Sequence, residues 1–195
     1  MAAPVVVMAV RLPDAEVPEP HTVQFRASRV TEVCFLPMHP TRPPLPDAVY
    51  LGMQAALSEA RCAAEVGEVP VGAVVVADGH VVARAHNETL GRRDLTQHAE
   101  LLAIQRALQT LETDRLDDAT LCVTLEPCAQ CAGAIVLARV SRVVFGAYDP
   151  KAGMAGSVGD LLRHPQLNHR PEVVGGVMEE ECGELLSEFF KGRRG

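Results

Sequence analysis

Residues 119–147 read ATLCVTLEPCAQCAGAIVLARVSRVVFGA. Two runs in this stretch, residues 119–125 and 142–147, are short, apolar and rich in β-branched side chains, which is typical of buried strands. Residues 128–138 between them are predicted to be helical. A strand, a helix and a second strand in this order predict parallel neighbours in one sheet, because the crossover brings the chain back to the same edge. The stretch therefore predicts an α/β fold.

The residues before this stretch predict a helix and a hairpin. Asp47 is a candidate helix cap, and Gly67 is expected to end the helix. Strands over residues 71–77 and 80–86 flank an Asp-Gly pair, which is a strong hairpin signal. The apolar stripe of the helix is predicted to contain Tyr50, Met53, Leu57, Ala60 and Ala64.

Further elements alternate along the rest of the chain. We predict helices over residues 97–111 and 179–191, a glycine-rich loop over 149–160 and a strand over 172–177. Taken from the residues alone, this order implies a largely parallel sheet with helices on both faces.

The composition is that of one ordinary domain with some excess chain. The protein has 195 residues, of which 48% are hydrophobic, and six cysteines. The cysteines are unevenly spaced around a lone C-x-x-C, which favours reduced thiols and a cytoplasmic location over a disulfide scaffold. The net charge of −7 argues against a protein that coats nucleic acid non-specifically, although it allows a locally basic site.

Residues 1–46 differ from the remainder. They contain nine of the fourteen prolines and show no helical or alternating period. We expect this segment to be a poorly ordered extension and residues 47–195 to form the functional domain. Neither a signal peptide nor a membrane span is expected, since no stretch approaches the roughly 18 apolar residues that a span needs.

His98, Cys128 and Cys131 have the residue types and spacing of a metal site. The two cysteines at i and i+3 share one helical face, and Pro127 suits a first helical turn. One imidazole and two thiolates favour Zn²⁺, and three protein ligands leave a fourth position open, as in catalytic zinc sites. The remaining cysteines are expected to be core or surface residues: Cys34, Cys62, Cys122 and Cys182.

Glu100 follows His98 by two residues. Residues i and i+2 point to different sides of a helix, so the two side chains converge only if His98 precedes the helix or begins it. Beside an open zinc position, Glu100 would carry protons for an attacking water. Taken alone, it would be a first-turn acid that stabilises its helix.

The order H-x-E followed by P-C-x-x-C is the signature of the zinc-dependent nucleobase deaminases, of which tRNA adenosine deaminase is itself a known example. Several segments resemble the bacterial tRNA-specific adenosine deaminase family, in the cytidine deaminase-like superfamily. They are EVPVGAVVV (68–76), HNETLGRRDLTQHAE (86–100), TLEPCAQCAGAIVLARVSRVVFGAYDPKAGMAGS (124–157), HPQLNHR (164–170) and LLSEFFKGRR (185–194).

This resemblance implies a three-layer α/β/α fold with a central five-stranded mixed sheet. It also implies a homodimer that hydrolytically deaminates the wobble adenosine of a tRNA anticodon loop to inosine. His98, Cys128 and Cys131 would hold one Zn²⁺ per subunit, and Glu100 would be the proton carrier.

The resemblance further implies contacts to the RNA. Asn87 would bond the flipped nucleoside, although an Asn here is also a plausible turn former. Val69 would line the same pocket, and Asp149 and Lys151 would lie near the target nucleotide. An aromatic and basic end of the last helix would stack an unpaired base or contact phosphate, unless it is only a core Phe with a solvated tail: Phe190, Lys191, Arg193 and Arg194.

Two other functions remain open at this point. A free-base or nucleotide deaminase of guanine or cytosine type would use the same zinc ligands. The Asn87 loop, residues 149–159 and the basic aromatic end favour RNA over these small substrates. A zinc-stabilised binding module without catalysis would instead require a fourth protein ligand.

Overall fold

The computed structural model describes residues 45–193. Almost all of the predicted extension, with Cys34, lies outside the described residues, and so does Arg194. The described elements are α1 (Asp47–Glu65), β1 (Gly72–Ala77), β2 (His80–His86), α2 (Ala99–Thr110), β3 (Thr120–Leu125), α3 (Ala129–Leu137), β4 (Arg142–Ala147), β5 (Glu172–Val174) and α4 (Glu179–Gly192).

The five strands form one mixed sheet in the order β2-β1-β3-β4-β5. β1 is antiparallel to both β2 and β3, whereas β4 is parallel to both β3 and β5. The mixed sheet implied by the resemblance is confirmed. Four of the five described strands run in one direction, as a largely parallel sheet requires, but β1 is antiparallel to both of its neighbours. The hairpin is the reason: the crossover through α2 starts from β2, so β3 runs with β2 and against β1, which lies between them.

The predicted hairpin turn is confirmed. Asp78 and Gly79 both have positive φ, 50° and 77°, as a two-residue type I′ turn requires. Strand β2 spans the predicted residues, and β1 begins one residue later than predicted.

Helices cover both faces of the sheet. Successive residues of β1 face opposite sides: Val75 belongs to a core with α2 and α3, and Val74 to a core with α1 and α4. The protein is therefore an α/β/α sandwich, with α2 and α3 together on one side.

The buried face of α1 differs from the predicted stripe. Met53 is fully buried, but Tyr50 is 45% exposed. Gly52 explains why the helix turns Tyr50 away from the sheet. A Cβ at Gly52 would lie 2.9 Å from the Cys122 sulfur, so this side of the helix faces β3. The helix packs too closely on β3 for a larger side chain. Asp47 is the first helical residue, and Pro46 occupies the cap position.

Strand β5 is shorter than predicted. It ends at Val174, because Gly175 packs against the Phe145 ring, where a Cβ would lie 2.4 Å from ring carbon Cζ. Gly176 then takes a positive φ of 78°. Among the described residues, no helix is both long and apolar enough to cross a membrane.

Candidate metal centre and active-site cleft

His98 and Cys128 occupy matching places at the starts of α2 and α3. Each directly precedes its helix with extended backbone, φ −79° and ψ 150° for His98 and φ −76° and ψ 178° for Cys128. Neither side chain caps its own helix. Cys131 lies in the first turn of α3 and is buried. The three side chains come together between the two helix starts.

The three ligand atoms fit one zinc ion. The Nδ1 atom of His98 lies 3.5 Å from the Cys128 sulfur and 3.4 Å from the Cys131 sulfur. Standard zinc bond lengths in a tetrahedral site separate a nitrogen from a sulfur by about 3.6 Å. Within residues 45–193, these three side chains form the only group of three or more metal-ligand side chains that lie close enough to share an ion. No fourth protein ligand is seen there, which agrees with an open position.

The two thiols differ in acidity. A hydrogen bond from Cys131, followed by the contact with His98, lowers the pKa of Cys128 to about 3. The same bond to Cys128, together with burial, raises the pKa of Cys131. The hydrogen bond with Cys128 also raises the pKa of His98. One thiolate is therefore already favoured at the site, as metal binding requires.

Glu100 is the second residue of α2 and is only 4% exposed. Burial raises the pKa of its carboxyl to about 7. A group with such a pKa can both accept and donate a proton near neutral pH. Because His98 precedes the helix, both side chains line one cleft despite their spacing.

This cleft has a volume of about 370 Å³. That volume lies within the range of small-molecule sites, roughly 300–1,000 Å³. Three further predicted site residues, from three separate segments, also border it. The lining comprises Val69, Val71, Asn87, Thr89, Leu95, His98, Glu100, Leu125, Glu126, Cys128, Asp149 and Ala152.

Asn87 ties three segments together at the cleft. Its side-chain oxygen accepts the N–H of Ala99 at 2.9 Å, and its amide nitrogen donates to the Val69 carbonyl at 3.3 Å. Ala99 begins α2, so Asn87 satisfies one of the N–H groups that a helix start leaves unpaired. An amide carries two N–H bonds and one is used here, which leaves a donor for a ligand.

Lys151 and Phe190 lie in the adjoining cleft. Val69, Leu125 and Asp149 border both this second cleft and the first. Phe190 and Tyr148 are both about half exposed there. Arg193 bonds the Gly67 carbonyl and places its guanidinium 4.4 Å from the centre of the Phe189 ring. Arg193 therefore fastens the end of α4 to the segment that carries Val69.

Two buried carboxylates bordering this region were missed from the sequence. Glu68 and Glu126 are each 2% exposed. Glu68 accepts the hydroxyl of Thr89 and the N–H groups of Leu90 and Gly91. Burial alone would raise the pKa of Glu68 and of Glu126. The hydrogen bonds that each carboxylate accepts outweigh burial and lower its pKa below the ordinary value. The sequence contains one weak signal for a buried role of Glu126, which is that this charged residue directly follows a predicted buried strand.

The other cysteines stand apart from the metal centre. Cys122 and Cys182 are buried in the core on the α1 face, and burial raises the pKa of Cys122 to about 12. Cys62 is exposed. At the end of β2, His86 lies 3.1 Å from Glu59.

Known proteins resemble the chain over most of this domain. Residues 51–194 match the family model of the MafB19-like deaminases. The chain is 54% identical over 145 residues to the tRNA-specific adenosine deaminase of Bacillus subtilis (strain 168), which covers 74% of this chain and 89% of that relative. The chain belongs to the tRNA-specific adenosine deaminase family. The family interpretation of the H-x-E and P-C-x-x-C motifs is thus confirmed.

Two further matches agree with this family. The tRNA-specific adenosine deaminase of Agrobacterium fabrum (strain C58 / ATCC 33970) is 46% identical over 142 residues, which cover 73% of this chain and 93% of the relative. A solved structure from work on A-to-I editing by tRNA:A34 deaminases superposes with a TM-score of 0.68 at 46% identity. That match covers 70% of this chain and 99% of the other. The described five-stranded sheet and four helices thus match the fold of a solved tRNA:A34 deaminase structure.

Proposed function

We propose that this protein hydrolyses the wobble adenosine of a tRNA anticodon loop to inosine and ammonia. The observation that carries the proposal is the placement of Glu100 in one cleft with His98 and Cys128, in a chain of this family. The His-Cys-Cys set without a fourth described ligand favours catalysis over a structural zinc module.

His98, Cys128 and Cys131 would hold the metal, and we propose Zn²⁺, one per subunit. When bound, zinc supplies a water that ionises near neutral pH and a positive charge close to the reacting carbon. The thiolate preference at Cys128 matches this donor set.

Glu100 performs the proton transfers. Its carboxylate accepts a proton from the attacking water and delivers it to N1 of adenine as the bond from oxygen to C6 forms. It then moves the second proton from the new C6 hydroxyl to the exocyclic amine. The C6–N bond breaks, ammonia leaves, and the oxygen remains as the carbonyl of inosine. A carboxyl pKa of about 7 suits a group that must accept and donate in one cycle.

The remaining predicted contacts would bind the RNA. A splayed loop base enters the cleft at little cost, since loop bases are unpaired. The second amide N–H of Asn87 would hold the nucleoside, with Val69 against it. Asp149 and Lys151 would face the target nucleotide's backbone. Phe190 would stack a neighbouring base in the adjoining cleft.

We infer a homodimer and a cytoplasmic location as parts of the same proposal. Leu95 and Leu137 are 79% and 84% exposed, and contact with a second copy would remove this apolar surface from water. Gln130 of α3 bonds the carbonyl of Thr96, which joins the Leu95 loop to α3. Light scattering after size exclusion tests the dimer.

The test of function is a reaction with a synthetic anticodon stem-loop that carries adenosine at the wobble position. Nucleoside analysis would detect inosine, and guanine, cytosine, adenine and their nucleosides would be assayed in parallel. We expect inosine in the stem-loop alone. Turnover of a free base with an untouched stem-loop would keep the zinc chemistry and overturn the RNA substrate.

A further inference from the structure

The glycine-rich loop, residues 149–160, forms one wall of the cleft yet contains no helix or strand. Its only sheet-like feature is a single bridge between Ala155 and Asp160. It carries Asp149 at the first cleft and Lys151 at the second. A segment with three glycines is costly to order, since glycine loses the most backbone freedom on folding. Hydrogen bonds inside the loop supply part of its order, such as that from the Gly153 N–H to the Asp149 carbonyl at 2.9 Å, and contacts from outside the loop add to it.

The carboxylate of Glu126 lies under this loop and accepts four hydrogen bonds from it. The backbone N–H groups of Asp149, Ala155 and Ser157 donate at 3.0, 2.9 and 3.1 Å. The hydroxyl of Ser157 donates to the same carboxylate. No ion pair to Glu126 occurs within residues 45–193, so the loop itself compensates the buried charge.

The backbone of the loop is fitted to this carboxylate. A Cβ at Gly153 would lie 2.3 Å from the carboxylate carbon of Glu126, so only glycine fits there. The N–H of Met154 also donates to the carbonyl of Pro127 at 2.8 Å. Glu126 and Pro127 thus hold the loop, and Cys128, the next residue, is a predicted metal ligand.

We propose that Glu126 is a positioning residue that shapes the glycine-rich loop to receive the RNA. A carboxylate offers about four acceptor sites. All four are occupied by the loop, which leaves none for a substrate or a water. Glu126 therefore acts through Asp149 and Lys151 and takes no part in the proton transfers assigned to Glu100. The inference rests on the proposed function, because it assigns the loop to the RNA.

The test is Glu126→Gln, compared with the unmodified protein in the stem-loop reaction. The amide keeps the shape but replaces one acceptor oxygen by a donor. In one orientation the N–H of Asp149 loses its partner, and in the other the N–H groups of Ala155 and Ser157 both lose theirs. We expect KM for the stem-loop to rise roughly tenfold or more, the factor that one lost buried hydrogen bond implies. We expect kcat at saturating RNA to change less than about threefold, with metal content preserved. The unfolding temperature should fall by only a few degrees, because the lost hydrogen bonds are confined to one loop.

Two further variants complete the comparison. Ser157→Ala removes the hydroxyl donor alone and should raise KM by a smaller factor, so it decides the question if Glu126→Gln does not fold. Asp117→Asn makes the same chemical change at an exposed ion pair with Arg139 and should leave both constants unchanged.

The outcomes separate this inference from the proposed function. An unmodified protein that forms no inosine contradicts the proposed function. If that protein is active, a fall in kcat with unchanged KM in Glu126→Gln would place Glu126 in the chemistry and overturn the positioning role. Unchanged KM in both Glu126→Gln and Ser157→Ala would overturn it as well.

Discussion

Replacing Glu100 by Gln separates chemistry from structure more sharply than any other change at this site. The amide has nearly the same volume, and Glu100 is buried with a carboxyl pKa raised by burial to about 7. A neutral side chain in that position therefore removes no charge that the fold needs at neutral pH. We expect the unfolding temperature and the metal content to match those of the unmodified protein.

The kinetic loss should be large. One positioned acid–base group contributes about 10²- to 10⁴-fold, and Glu100 is assigned successive transfers to N1 and to the leaving amine. We therefore expect a fall in kcat near the upper end, about 10⁴-fold, which corresponds to roughly 5 kcal/mol in the activation free energy. KM should change little, because the lost interaction is made only in the transition state.

The assay is single-turnover formation of inosine in the stem-loop, with bound metal measured on the same samples. Glu112→Gln is the matched control, since Glu112 is an exposed residue just beyond the other end of α2. A metal-loaded Glu100→Gln protein with kcat within about tenfold of the unmodified enzyme would refute the assignment of Glu100 as proton carrier.

Three other perturbations test the surroundings of the cleft. Asn87→Ala removes the acceptor of the Ala99 N–H and the donor to the Val69 carbonyl. The free energy of unfolding measured in urea should therefore fall by about 2–4 kcal/mol. An unchanged value would contradict the role of Asn87 in joining these segments. Glu68→Gln should destabilise the protein most above pH 4.5. The folded-state pKa of Glu68 is lowered, so its contribution is present above the unfolded value and disappears as the pH falls through the folded one. Denaturant midpoints across pH measure this, and a deficit that does not shrink in acid would argue against it. Phe190→Ala should weaken stem-loop binding, followed by fluorescence anisotropy, by about 5- to 100-fold if a base stacks there; equal affinity would remove Phe190 from the RNA surface.

The sequence predicted the elements whose signals are local. The Asp-Gly turn, the apolar runs of β3 and β4, and the spacing of Cys128 and Cys131 each depend on a few neighbouring residues. The order of the strands was not predicted, because no local pattern encodes that β3 lies beside β1 and not beside β2. Tyr50 was placed inside for a similar reason: the close approach of α1 at Gly52 is a tertiary contact.

The same difference between local signals and tertiary contacts explains why the buried carboxylates of Glu68 and Glu126 were missed. Glu68 and Glu126 read as ordinary charged residues, because their partners lie 21 to 31 residues away in loops without regular structure. Their burial becomes visible only once those loops fold over them. The spacing of His98, Cys128 and Cys131 predicted a metal site, and the structure brings these three side chains together. The role of Glu100 as proton carrier stays a prediction.

The unequal starts of the two ligand-bearing helices have a consequence for local motion. The first N–H of α2 is held by the side-chain oxygen of Asn87. At the start of α3 no side-chain cap hydrogen bond is made. Fraying should therefore begin at α3, and its first-turn amides should exchange with deuterium faster than those of α2. His98 would stay fixed while the cysteine turn opens and closes, so the rate of that opening would limit how quickly an ion enters or leaves.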